Sequence, residues 1–298
     1  MTEHHYESPE AFKQALETRI RRAALARRMD IGRFRQLLVF DRFLSRVFIE
    51  LGQRVLVKGG VVLELRLERA RTTRGVDLRL TGDPDTALGS LQQAGRLDLG
   101  DYLTFLVAPD PEHPTIDGDG VVYAGRRFRA TAQLAGKLYG SPFGIDVSIG
   151  DVITVAPEVL RGDTFLDFVG ATVGEFRVYP REAHVAEKLH AFTLPRPREN
   201  SRVKDLPDLG LLAMTGPFDG NQLRHALDET FAFRNTHAVP RSLPAAPRSW
   251  EPVYARMAKE DLLPWATLED VENGVRAFLD PLLDDPPGTW SPANWAWV

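Results

Sequence analysis

The chain has 298 residues, of which 43% are hydrophobic and 26% charged, and its formal net charge is −4. This composition is ordinary for a globular protein of one large or two smaller domains, and no run approaches the ~18 apolar residues of a membrane span. Cysteine is absent, which excludes disulfides, thiolate zinc sites and a cysteine nucleophile. The polar start does not resemble a signal peptide, so we expect a cytoplasmic protein.

Two helices are predicted before the first motif. Apolar residues recur every fourth residue from position 8 to about position 28, with Ser8 as N-cap and a proline at the first helical position. The segment 31–51 carries apolar side chains on most of its faces, which predicts a deeply buried helix. Arg42 and Arg46 are expected on its remaining polar side. We interpret both helices as support for the core.

The first motif is the run Lys58-Gly59-Gly60, which precedes an apolar-periodic segment. Residues 61–69 are predicted to form a short helix that starts just after Gly60. Two glycines allow the backbone to approach a ligand closely, and the N–H groups at a helix start favour anions. A triphosphate is therefore the ligand that we expect here, although most Gly-Gly pairs are ordinary turns.

A strand with an outward carboxylate follows this helix. In residues 75–80 apolar side chains alternate with Gly75, Asp77 and Arg79, which is typical of a half-buried strand. Asp77 is expected on the face to which the Gly-Gly turn would deliver phosphates. A second alternating run, at residues 143–151, places Asp146 outward in the same manner. Two such carboxylates could hold a divalent cation.

These motifs resemble the polymerase-beta-like nucleotidyltransferase superfamily and, in detail, its AbiEii toxin branch, which includes the MenT toxins. That branch shows Lys-Gly-Gly, a helix rich in Leu and Arg, and then Arg-x-Thr-Lys/Arg-Asp-x-Asp. The chain matches this order with Arg71, Thr73 and Asp77 but has Gly75 where the family has its first Asp. Asp146, followed by Gly150-Asp151, corresponds to the third carboxylate.

The resemblance continues in a predicted helical region. Residues 182–193 and 202–214 are expected to be helices, and their motifs resemble the parts of the AbiEii branch that hold a lysine and a following aspartate. The resemblance implies that Lys188 and Asp205 are catalytic together with Asp77 and Asp146. It also implies nucleotide binding by Lys58, Gly59, Gly60, Arg71, Thr73, Arg202 and Asp208. Alternatively, Lys188 is a solvated lysine and Asp205 a first-turn acid favoured by the helix dipole.

The resemblance implies an α+β protein with two lobes. We place a nucleotidyltransferase core, with a mixed sheet and the N-terminal helices, at residues 1–180 and a helical domain at 181–298. Further helices are predicted near 220–233, 250–260 and 268–283. The tryptophans of the tail are expected to pack back onto this domain, with base stacking as the alternative. The motif of P-loop NTPases and the arrangement of serine hydrolases are absent.

The predicted function is that of a Mg²⁺- or Mn²⁺-dependent nucleotidyltransferase toxin of a type IV toxin–antitoxin or abortive-infection system. The family implies transfer of NMP from an NTP to RNA, expected at the 3′ end of tRNA, and a cognate antitoxin encoded nearby. Because the net charge is negative, RNA binding requires a local basic cleft. The arginines and lysine that could form it are Arg66, Arg69, Arg71, Arg74, Arg79, Arg196, Arg198, Arg202 and Lys204.

Gly75 leaves a second hypothesis open. With one of two strand carboxylates replaced, only Asp77 and Asp146 remain as metal ligands, so activity is expected to be impaired. A non-catalytic nucleotide- or RNA-binding protein, or a regulatory partner, would show the same departure from the family pattern.

Overall fold

The computed structural model describes residues 6–67, 70, 72–116, 125–149, 156–196, 200–285 and 288–298. Within these residues the helices are α1 (Pro9–Ala26), α2 (Ile31–Leu51), α3 (Gly60–Arg66), α4 (Ala87–Arg96), α5 (Arg181–Thr193), α6 (Asp205–Ala213), α7 (Gly220–Arg234), α8 (Glu251–Asp261) and α9 (Leu268–Asp284). The strands are β1 (Val55–Lys58), β2 (Gly75–Leu80), β3 (Thr104–Pro109), β4 (Gly125–Leu134), β5 (Lys137–Ile149), β6 (Glu158–Arg161), β7 (Glu175–Val178), β8 (Phe218–Asp219), β9 (Thr289–Ser291) and β10 (Ala296–Trp297). The predicted α+β fold class is confirmed.

Local sequence explains the first two helices. The Ser8 hydroxyl accepts a hydrogen bond from the Ala11 amide at 3.1 Å and so caps α1. Asp30 caps α2 in the same way, accepting from the Arg33 amide at 2.8 Å. Each cap satisfies a backbone donor that the helix itself cannot pair. Both predicted helices are confirmed.

The main sheet has seven strands in the order β3-β4-β5-β2-β1-β7-β6. β2 is central: it pairs parallel with β5 and antiparallel with β1. Alternate residues of β2 are buried, because one face of the strand packs on α1 and α2 in a shared hydrophobic cluster. The other face carries the polar side chains of the predicted site.

The buried apolar residues fall mainly into two clusters. One contains the sheet, α1 and α2, and the other contains α5 to α9 together with Trp290 of the tail. α3 contributes to both, since Val61 and Val62 belong to the first cluster and Leu63 to the second. The clusters support the proposed division of the chain near residue 180, which stays a prediction.

The tryptophan-rich tail packs onto the helical region. β8, β9 and β10 form a small sheet that the sequence did not indicate. Trp290 is fully buried, and its indole N–H donates to the carbonyl of Ala213 at 2.8 Å. The indoles of Trp295 and Trp297 donate to carbonyls of α9. The expectation that the tail packs back onto its domain is confirmed.

One expectation about α2 is wrong. Arg42 and Arg46 do not lie on a solvated face but are 2% and 0% exposed. Both guanidinium groups bind the buried carboxylate of Asp101, at 2.7 Å from Arg42 and 2.5 Å from Arg46. Burial alone would raise the pKa of Asp101, but the two arginines outweigh burial and hold this pKa below its ordinary value.

Asp101→Asn is expected to destabilise the protein by about 3–5 kcal/mol, because it leaves the buried guanidinium group of Arg46 without its counter-ion and Arg42 with only Asp41, at 3.8 Å, among the described residues. Urea unfolding at neutral pH measures this loss. The matched control is Asp85→Asn, which breaks an exposed ion pair with Arg126 and should leave the midpoint unchanged.

The same carboxylate predicts a pH dependence. Because the pKa of Asp101 is lower in the folded than in the unfolded chain, its contribution to stability is present above the unfolded pKa of ~3.9 and is lost as the pH falls through the folded value. The stability difference between the native protein and Asp101→Asn should therefore shrink below about pH 4. A difference that stays constant down to pH 2 would contradict the assignment.

Candidate functional site

Four charged residues form a row across four neighbouring strands. Lys58 of β1 lies opposite Asp77 of β2, and Asp77 lies opposite Asp146 of β5. Arg127 of β4 in turn lies opposite Asp146. All four side chains are half-buried, and neighbouring strands are about 4.8 Å apart. The sheet therefore brings the two predicted carboxylates side by side, with a cation beyond each of them.

Lys58, Asp77 and Asp146 of this row line a cavity of about 230 Å³, and residues of α5 line it as well. Its lining, within the described chain, has five basic and three acidic side chains. These residues are Lys58, Lys188, Arg196, Arg202, Arg234, Asp77, Asp146 and Glu187. Of the residues from which the sequence predicted a basic cleft, Arg196 and Arg202 line this cavity, whereas Arg74 and Lys204 line a separate groove.

Gly59 is required where β1 turns into α3. Its φ of 70° is a conformation that side-chain-bearing residues rarely adopt. A Cβ atom at this position would lie 1.9 Å from Oδ2 of Asp77, which is far inside contact distance. The glycine therefore lets the backbone pass directly against the Asp77 carboxylate.

Glu187 of α5 connects the helix to the sheet. Its Oε1 atom accepts from the Tyr179 hydroxyl at 3.2 Å and lies 3.4 Å from the Lys58 ammonium. Arg234 of α7 donates to the same oxygen at 3.1 Å. Burial would raise the pKa of Glu187, but Lys58 and Arg234 hold it below its ordinary value. Glu187 is therefore ionised and fixes Lys58 beside Asp77.

Lys188, the next residue, faces α6. Its Nζ atom lies 2.8 Å from Asp205 and 2.8 Å from Asp208, two carboxylates that are almost fully buried. Burial alone would lower the pKa of Lys188, but the two aspartates raise it above its ordinary value. Lys188 is thus a charged, oriented ammonium at the cavity wall, and it is not a solvated surface lysine.

The remaining predicted residues divide between three locations. Arg202 lines the cavity and lies 3.5 Å from Asp205, while Gly60 is buried at the start of α3. Thr73 does not reach the cavity: its hydroxyl donates to the Gly75 carbonyl, and the side chain lines a separate groove. Arg71 lies outside the described residues, as do Arg69, Gly150, Asp151 and Arg198.

Sequence reasoning missed four residues of this site. Arg127 and Arg234 belong to no motif of the sequence, and Glu187 is adjacent to Lys188 but no role was predicted for it. No role was predicted for His184 either. The i, i+4 spacing of His184 and Lys188 on α5 was the one signal that could have placed this histidine in the cavity.

A divalent cation has hard oxygen donors here, but the Asp146 carboxylate is paired with Arg127. Both oxygens of Asp146 accept from Arg127, at 2.7 and 2.8 Å. No group of three metal-binding side chains occurs among the residues that the structure describes. Mg²⁺ commonly uses one or two carboxylates together with water and substrate phosphates. The donor set fits a cation on Asp77, with Asp146 joining only if Arg127 moves away.

Gly75 lies at the edge of this donor set. It is paired with Gly144 of the parallel strand β5, on the same face as Asp77. A Cβ atom at position 75 would lie 2.7 Å from the Gly144 carbonyl oxygen, whereas a Cβ at position 144 has no atom within 4 Å. A carboxylate at position 75 therefore requires the two strand ends to move slightly apart.

A mixed sheet with two carboxylates side by side, facing a cation-rich cavity, defines a fold and site suited to nucleotidyl transfer. The chain belongs to the AbiEii family, described as nucleotidyl transferase AbiEii toxins of type IV toxin–antitoxin systems, whose model matches residues 42–296. This match confirms the family that the motifs indicated. No curated protein sequence matches the chain.

A solved structure shows the same fold, and a second one is reported as a weaker similarity. MenT4, a nucleotidyltransferase toxin from Mycobacterium tuberculosis H37Rv, is similar over 94% of this chain and 93% of its own, with a TM-score of 0.58 and 16% identity. JHP933 from Helicobacter pylori is similar over 83% of this chain and 90% of its own, with a TM-score of 0.43 and 15% identity. No helix in the described part of the chain is both long and apolar enough to span a membrane.

Arg127→Gln is expected to tighten binding of Mn²⁺ to the nucleotide-free protein several-fold. The substitution removes the guanidinium that occupies both oxygens of Asp146, so that this carboxylate can coordinate the ion together with Asp77. Calorimetry or the electron paramagnetic resonance signal of free Mn²⁺ measures the affinity.

Arg129→Gln is the matched control, because Arg129 is an exposed cation two residues along the same strand, opposite Gly144. It tests the effect of removing one positive charge without freeing Asp146. If both variants bind Mn²⁺ equally well, the gain is general electrostatics and Arg127 does not compete with the metal.

Proposed function

We propose that the cavity binds an NTP with Mg²⁺ or Mn²⁺ and transfers its NMP group to the 3′-hydroxyl of an RNA, with tRNA as the expected acceptor. The new bond joins the α-phosphate to the RNA, and the bond to the β-phosphate breaks, so that pyrophosphate is released. The observation that carries this proposal is the in-register pair of Asp77 and Asp146 facing a cavity lined by five basic side chains. Membership of the AbiEii family supports the reaction class. A protein that acts on tRNA would work in the cytoplasm, with a cognate antitoxin as its partner.

The residues have distinct roles in this proposal. Asp77 would hold the cation, and Asp146 would become a second ligand once Arg127 moves away from it. The cation supplies charge neutralisation on the phosphoryl oxygens when it is bound. Lys58 and Arg202 bind phosphate oxygens in the same cavity, and Gly59 and Gly60 remain proposed nucleotide contacts through their backbone.

Lys188 contributes as an oriented point charge. An ammonium has three N–H donors, and two of them are directed to Asp205 and Asp208. The third is available for a phosphate oxygen. Asp205 and Asp208 therefore position the lysine and do not touch the substrate, which refines the direct catalytic and nucleotide-binding roles that the family resemblance implied for them. Arg71 remains a proposed nucleotide contact, and Thr73 remains one only if its segment moves toward the cavity.

The function is tested by incubating the protein with labelled NTPs, Mg²⁺ or Mn²⁺ and total RNA. Label should appear in tRNA-sized RNA, and Asp77→Asn should abolish it because the cation loses its main ligand. Asp228→Asn, which removes a surface carboxylate of α7, is the control and should retain activity. A protein that binds no NTP in any variant would show that the assignment is wrong.

Gly75→Asp is expected to raise transfer activity by about 10²–10³-fold, because it adds a carboxylate that positions the cation in the transition state. The native chain should be weakly active and tolerated on expression, while the variant inhibits growth. Its urea midpoint should fall, since the new Cβ forces the Gly144 carbonyl to move. Equal turnover and equal toxicity of the two forms would show that position 75 is not a metal ligand.

Gly144→Asp is the comparison for this variant. It adds the same charge at the same level of the neighbouring strand, where the structure has space for a Cβ. If Gly144→Asp activates the protein as strongly as Gly75→Asp, added negative charge explains the gain, and a specific ligand at position 75 does not.

A non-catalytic nucleotide-binding protein is the second candidate. The observation that favours it is the Arg127–Asp146 ion pair. The two positive charges of Lys58 and Arg127 neutralise the two carboxylates of the row, so that their charge balance does not require a metal. Such a protein would bind NTP with an affinity that EDTA does not change. Calorimetry with and without EDTA separates the two functions, since the proposed enzyme requires the metal for tight binding.

A further inference from the structure

His184 is a buried polar side chain without a hydrogen-bond partner in the part of the chain that the structure describes. It lies in the first turn of α5, is 2% exposed and lines the cavity. Neither ring nitrogen has a hydrogen-bond partner among the described residues. Most buried side-chain polar atoms in proteins are paired, and one left unpaired costs about 1–3 kcal/mol. A histidine retained at this cost points to a ligand.

His190 provides a comparison on the same helix. It is also buried and lines the same cavity. Its Nε2 atom lies 2.8 Å from the Thr236 hydroxyl, and its Nδ1 atom lies 3.3 Å from Arg234. The fold therefore satisfies one of these two histidines and leaves the other directed at the cavity.

The surroundings of His184 determine what it can bind. Burial, and then the positive charge of Lys188, lower its pKa to about 3, so the ring is neutral at physiological pH. A neutral imidazole offers one N–H donor and one acceptor. Lys58 and Lys188 already supply positive charge for phosphate oxygens. The histidine is suited to an uncharged polar group.

We propose that His184 hydrogen-bonds an uncharged group in the nucleoside part of the bound NTP, a ribose hydroxyl or a base edge, and thereby contributes to nucleoside recognition. The inference rests on the proposed nucleotide-binding function of the cavity. It assigns the phosphates to the basic side chains and the nucleoside to His184, so the two parts of the ligand can be tested separately.

The binding test uses His184→Phe, which keeps a ring of similar shape and removes both nitrogens. Its Kd for the preferred NTP should rise by about tenfold, as expected for one lost hydrogen bond with an unpaired ligand group left behind. Its Kd for inorganic tripolyphosphate should not change. His184→Gln, which retains a donor and an acceptor, should recover part of the affinity. In the native protein, 2′-deoxy- and 3′-deoxy-NTPs and the four bases distinguish a hydroxyl from a base edge.

The urea midpoint of unfolding distinguishes a ligand-binding role of His184 from a structural role. His184→Phe should raise the urea midpoint of the nucleotide-free protein, because it replaces an unsatisfied polar group by an apolar one. His190→Phe should lower the midpoint, because it removes the partner of Thr236 and Arg234. A lowered midpoint for His184→Phe together with unchanged NTP binding would mean that His184 is structural.

A measurement on the native protein decides the question even if the Phe variant does not fold. In ¹⁵N-histidine-labelled protein, the ring signals of His184, identified by their loss in His184→Gln, should shift on addition of NTP and not of tripolyphosphate. NTP binding without this shift, or equal Kd values for the native protein and His184→Phe, would overturn the inference and leave the proposed function intact. A native protein that binds neither probe would overturn the proposed function itself.

Discussion

The register between β4, β5, β2 and β1 is the constraint on which the site depends. Successive side chains of a strand point to opposite faces, so a slip of one residue would turn every side chain of that strand over. The buried positions Val76 and Leu78 of β2 pair with Ile145 and Val147 of β5. The apolar residues that build the core thus fix which face carries the carboxylates, and the charged row forms without any dedicated local motif.

α5 extends this constraint from the sheet to the helical region. The consecutive residues Glu187 and Lys188 bind in different directions, the first to Lys58 and Tyr179 beside the sheet and the second to the aspartates of α6. Each ion pair has low exposure, so solvent and salt weaken it less than a surface pair. The cavity charges are therefore held in place before any ligand arrives, which reduces the cost of ordering them on binding.

Sequence patterns predicted much of this arrangement because most of the information is local. Alternation placed Asp77 and Asp146 outward, and the structure shows them side by side. The pairing of Arg46 with Asp101 was not predictable, because the partners are 55 residues apart and a helical arginine ordinarily faces solvent. Arg127 was missed for the same reason: nothing local indicates that a strand arginine will occupy a carboxylate on the neighbouring strand.

The short helix α3 has a consequence for folding cooperativity. Its seven residues start at the cavity, and its apolar side chains are divided between the two buried clusters, with Val62 in one and Leu63 in the other. A helix this short has little stability of its own and is held by packing on both sides. Opening either cluster would release α3 and remove the backbone of Gly59 from Asp77. Amide hydrogens of α3 should therefore exchange at the rate of whichever cluster opens more readily. The stability of the cavity against local unfolding is then set by the less stable of the two clusters.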